Sequence, residues 1–196
     1  PTTNTALMPR ADFYLIDKPR FRAQPLLLVC ELAKRAYGAE MPTLILARTL
    51  DEAEAIDDLL WGFDPEAFIP HQIAGDEDDD ITAVLIAPPG AKVADRPLVI
   101  NLREECAEGQ FETVKEVVAA DPGERDGSRK RWAEYRKRGF EVQKFDGIKT
   151  DVINKSKLKD LLIVIPPSDK TYDYSLSATW YSEANGAQLN DISTYI

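Results

Sequence analysis

The sequence predicts an α/β fold: a three-layer α/β/α domain with a mostly parallel sheet over residues 8–146, then a small β-rich C-terminal segment over 147–196. Three observations carry this. Short apolar runs alternate with helix-period patterns, as strands joined by crossover helices do. Several runs are apolar without interruption, as in strands covered on both faces. Residue usage also changes near Gly147, with twelve Arg and seven Lys up to Lys144 but five Lys and no Arg beyond it.

Taken in order, Ala11–Ile16 (ADFYLI) is aromatic and aliphatic and reads as a strand. Pro25–Tyr37 reads as a helix, with Pro25 in the first turn, Leu28, Val29, Leu32 and Ala36 on one stripe, and Gly38 as the stop. Thr43–Ala47 (TLILA) is the first continuous apolar strand. Thr49 and Glu52 form a capping-box pattern that opens a second helix through Trp61. Ala83–Ala87, Leu98–Asn101 and Val114–Ala120 read as further strands. Gly127–Arg138 reads as a helix closed by Gly139, and Phe140–Phe145 as a last strand. Beyond Gly147, Leu161–Ile165 and the alternating stretch Tyr172–Trp180 are strand-like, and Asn185-Gly186 is a hairpin-turn dipeptide. That segment is marginal as a fold of its own and reads as an acquired extension or a fused piece of unknown origin.

The 196 residues, 44% of them hydrophobic and 30% charged, suit one packed domain or one domain with an appendage. No apolar run approaches the roughly 18 residues that span a bilayer, and no basic-then-apolar leader opens the sequence. Met8 reads as a natural start, and Pro1–Leu7 as a lead-in. Cys30 and Cys106 lack a disulfide-framework spacing, which suits a reduced, cytoplasmic chain in which both act as small hydrophobes. The net charge of −10 argues against binding long nucleic acid by charge alone. Yet Arg125–Arg138 holds seven basic and two acidic residues, a basic island on an acidic protein.

No enzyme is legible. The first strand leads into Asp17-Lys18-Pro19-Arg20, without the glycines of a dinucleotide-binding loop, and no Gly-Lys-Ser/Thr end of a phosphate loop occurs. His71 is the only histidine and has no sequence-near Cys partner for a metal or a triad. Asp76–Asp80 (DEDDD) lacks the interleaving of a calcium loop and reads as solvated. No cofactor, metal or catalytic residue is expected.

Two stretches look like partner surfaces. Trp61 ends the second helix and Phe68 follows in FDPEAFIPH; the alternatives are local packing or exposed aromatic anchors. In the basic helix, Arg129, Trp132 and Arg136 fall on one face, and Arg131, Tyr135 and Arg138 on a neighbouring one. Such a surface suits a short acidic peptide with an apolar end.

ADFYLID, the helix containing VCELA, the block DDLLWGFDPEAFIPHQIAG and RKRWAEYRKRGF together resemble the chi-subunit family of bacterial DNA polymerase III, in order from about Ala11 to Phe145. The resemblance implies an α/β/α domain without catalytic activity. It implies that Trp61 and Phe68, with His71 in the same block, contact the psi subunit of the clamp loader, on a surface shared with a competing helicase. It implies that the basic helix receives the acidic, Phe-ended tail of single-stranded-DNA-binding protein through Arg125, Arg129, Trp132 and Arg136. Trp132 stands where the family usually has Tyr. Thr150–Ile196 lies beyond the resemblance. Two rival readings remain: direct single-stranded nucleic-acid binding by the Arg-rich helix, and an engineered or natural fusion whose C-terminal segment sets assembly.

Overall fold

A computed structural model describes residues 8–64 and 66–146. The strands are β1 (Arg10–Leu15), β2 (Thr43–Leu46), β3 (His71–Ile73), β4 (Val84–Ala87), β5 (Leu98–Asn101), β6 (Thr113–Val118) and β7 (Glu141–Asp146). The helices are α1 (Pro19–Ala23), α2 (Leu26–Gly38), α3 (Leu50–Gly62) and α4 (Asp126–Lys137). The strands form one seven-stranded sheet in the order β3-β4-β2-β5-β6-β1-β7. Every pairing between them is parallel. The predicted α/β class is the observed one, with β3 and β7 at opposite edges.

β2, β4 and β5 are buried along their whole length, as their unbroken apolar runs require. Alternate residues feed two cores. Ile45, Val84, Ile86 and Ile100 pack with Phe21 of α1, Leu28 and Leu32 of α2, and Ile56 of α3. Leu44, Leu46, Leu85 and Val99 face the other side, where Tyr135 of α4 joins Phe13 and Val114.

The Thr49 cap forms as read: its Oγ1 accepts from the Glu52 N–H at 3.0 Å. The return bond falls one residue early, from the Arg48 N–H to Glu52 Oε2 at 2.7 Å. Gly38 is the last residue of α2, not its stop; the chain reverses at Glu40, where φ is +56°. Gly139, at φ +85°, follows α4 as expected. Two elements went unread. α1 has five residues and buries only Phe21, and β3 has three, both too short to show a period. The strand-like readings beyond Gly147, and Pro1–Leu7, lie outside the described residues.

Candidate functional site

The basic helix is oriented from inside. Glu116 of β6 is fully buried. Its carboxylate accepts from Arg131 Nε at 2.7 Å, Asn101 Nδ2 at 2.8 Å and Tyr135 Oη at 3.0 Å. The Tyr135 oxygen in turn accepts from the Ala107 N–H at 2.8 Å. Burial raises the Glu116 carboxyl above its usual range, while the charge of Arg131 and the hydrogen bonds from Asn101, Arg131 and Tyr135 oppose that rise. Burial likewise raises the Tyr135 phenol. Arg131 and Tyr135 are therefore internal, 8% and 0% exposed. Of the neighbouring face expected to form part of a partner surface, Arg131 instead serves a buried carboxylate and Tyr135 packs inward, and only Arg138 points to solvent.

With Arg131 and Tyr135 turned inward, Trp132 lies against Phe13, ring centroids 4.9 Å apart. Between α4 and the β6-β1-β7 end of the sheet opens a cleft of about 380 Å³. Phe13, Leu15 and Val118 form its apolar floor, and Trp132 with Arg125 and Arg129 line the helix side. Lys144 of β7 lines it as well, in register with Phe13. The Arg125 guanidinium is tied down, with Nε donating to the Ala119 carbonyl at 2.9 Å and Nη2 to Ala120 O. Arg129 pairs with Asp126 at 2.6 Å. Arg136 is exposed and is not part of the cleft lining. Apolar floor and flanking cations together suit an apolar side chain that carries carboxylates beside it.

The β3 edge is built differently. Trp61 is 69% exposed and Phe68 85% exposed. Both border a second cleft of about 380 Å³, with Ile69, Pro70 and His71. Phe68 sits at φ +37°, a conformation a bulky residue seldom adopts. The preceding turn is anchored by the Ala67 N–H to Asp64 O bond at 3.1 Å, and Asp64 is paired with Lys34 of α2. His71 is not a surface contact, since its side chain is 1% exposed. Its Nδ1 lies 2.7 Å from Ile69 O and its Nε2 3.1 Å from Asp57 O. The ring thus joins β3 to α3 and underlies Trp61, at 4.9 Å between centroids.

Residues 8–143 match the family described as DNA polymerase III chi subunit, HolC. The chain belongs to that family. A chi subunit from Pseudomonas aeruginosa is 34% identical over 142 residues, covering 69% of this chain and 95% of the relative. One from Escherichia coli is 29% identical over 141 residues, covering 69% and 96%. The chi-family match thus contains the second cleft and all of the first except Lys144, one residue beyond it.

Elsewhere in the chi-family domain, the acidic run Asp76–Asp80 serves its own turn. Asp79 accepts from Gln72 Nε2 at 2.7 Å and the Gly75 N–H at 2.9 Å. Arg96 donates to the Asp79 carbonyl and also reaches the carbonyls of Thr43, Thr82 and Ala83. Cys30 is fully buried, and burial pushes its thiol up to about 12. Cys106 is half-buried rather than fully so. No helix among the described residues is long and apolar enough to cross a membrane. Sequence reasoning missed Lys144, whose place depends on strand register alone.

Proposed function

We propose that this chain is a non-catalytic adaptor subunit of the bacterial replicative DNA polymerase, working in the cytoplasm. In this reading the β3 edge, through Trp61 and Phe68, holds the psi subunit of the clamp loader, and a helicase competes for the same edge. The cleft between α4 and β7 takes the acidic, Phe-ended tail of single-stranded-DNA-binding protein. One observation supports this most: the two surfaces lie at opposite edges of one seven-stranded sheet. Strands stand ~4.8 Å apart, so six spacings separate the edges by roughly 29 Å, enough for two partners to sit together.

The energetics of the cleft agree with a short peptide. A charge-assisted hydrogen bond contributes about 1.5 to 3 kcal/mol. Burying a phenyl ring contributes roughly as much again. After association costs, micromolar affinity that falls with salt is expected. Calorimetry with the tail peptide tests this. Arg129→Glu should weaken binding more than Arg129→Ala, because reversal adds repulsion to a lost contact. Equal affinity for Arg129→Glu and the unaltered protein, or no effect of deleting the peptide's last Phe, moves the site elsewhere. Titration with single-stranded DNA alone checks the rival reading, for which a steep salt dependence is the signature.

A further inference from the structure

Both exposed cations of the cleft are already holding carboxylates of their own chain. Arg129 Nη1 lies 2.6 Å from Asp126 Oδ1, and Lys144 Nζ lies 2.8 Å from Asp146 Oδ1. The two pairs arise independently. Asp126 and Arg129 are three apart on α4, where helical neighbours meet. Lys144 and Asp146 are two apart on β7, so their side chains share one face of the sheet. Register settles which face: Lys144 is level with Phe13 and Asp146 with Leu15, and Phe13 and Leu15 are cleft floor. The cleft is thus flanked from two elements, each bearing one cation and one built-in anion.

We infer that Asp126 and Asp146 are internal stand-ins for the carboxylates of an acidic peptide, and that Arg129 and Lys144 are the two points at which they exchange. This rests on the peptide-binding reading of the cleft. Both pairs lie in solvent: the side chains of Arg129 and Asp126 are 63% and 77% exposed, those of Lys144 and Asp146 58% and 68%. Exposed pairs of this kind favour association by no more than about fivefold. The buried Arg131–Glu116 pair, 9% and 0% exposed, is fixed by comparison and takes no part. Exchange therefore costs little and swaps one carboxylate for another at each cation. A ligand with a single carboxylate displaces one stand-in and still faces the other; one with two carboxylates flanking an apolar side chain displaces both. The built-in pairs thus lower affinity for an anion in proportion to the carboxylates it brings, and the doubly acidic peptide overcomes both exchanges because it also seats its apolar side chain on the cleft floor.

The test is calorimetry of the full chain with a synthetic acidic peptide ending in Asp-Phe with a free carboxylate. Asp126→Asn and Asp146→Asn should each tighten binding by about two- to fivefold. The two gains should combine, because the pairs share no partner. Lys144→Gln should loosen binding by a similar factor. The decisive arm is a double-mutant cycle. In an Arg129→Ala background, Asp126→Asn should give no gain; in a Lys144→Gln background, Asp146→Asn should give none. A gain that persists in those backgrounds shows only the loss of a repelling charge and overturns the exchange. Unchanged affinity in both Asn variants, with the unaltered protein still binding, overturns the exchange but leaves the cleft as the peptide site. No binding by the unaltered protein overturns both.

Discussion

On the proposed function, the two edges of the sheet meet opposite recognition problems. At the β7 edge the protein is concave, its floor is apolar, and the exposed side chains that line it, Arg129 and Lys144, are cations. At the β3 edge it projects two aromatic rings, Trp61 at 69% and Phe68 at 85% exposure. A short charged peptide has little area of its own, so it needs a pocket to bury its apolar end and a field to steer it. A folded partner brings its own concavity and needs an anchor to receive. The edges also differ in how they are held. The cleft depends on a buried ionic network that fixes the rotation of α4, whereas the aromatic edge depends on a tight turn and one histidine ring.

That difference in support gives the largest expected effect. Glu116→Gln removes the charge that Arg131 was buried to meet. Losing one partner of a buried pair costs about 3 to 5 kcal/mol. Urea unfolding should show that loss. Under conditions where the variant stays folded, peptide binding at the cleft should fall while psi binding at the other edge holds. A stability loss below about 1 kcal/mol would mean the ion pair does not orient α4.

Next comes Phe68→Ala, expected to cost about 2 kcal/mol or more in psi affinity, as truncated aromatic anchors do. Stability should stay within about 0.5 kcal/mol, because the ring buries little and a surface change seldom does more. Equal co-purification of psi with the variant would remove Phe68 from that surface. A drop of several degrees in melting temperature would instead make it a packing residue.

The smallest expected effect is from truncation after Gly147. Among the described residues, all seven strands and both cores lie within 10–146. The shortened chain should therefore unfold cooperatively, with both edges still binding. A molten or insoluble product would show that residues 148–196 complete the fold.

Much of this was legible beforehand, for local reasons. TLILA, AVLIA and LVIN announced strands covered on both faces because nothing polar interrupts them. Thr49 announced a helix start because its cap needs only the backbone three residues on. Arg129 and Trp132 shared a face by helical spacing. Trp61 and Phe68 stood out as large aromatics near loops, but packing and exposure were equally open until their surroundings were known.

Nonlocal contacts decided the rest. Arg131 looked like any other charge in a basic run; its burial depends on Glu116, fifteen positions away and on another element. His71 looked like a surface residue of the aromatic block until Asp57 and Ile69 closed on its ring. Lys144 entered the cleft through the β1–β7 register. Periodicity and capping act over a turn or a few residues, so the chain's own order of residues sets them. Burial of a charge and the walls of a cleft arise where distant segments meet, and only the assembled sheet, with β7 paired to β1 and α4 laid across them, brings those segments together.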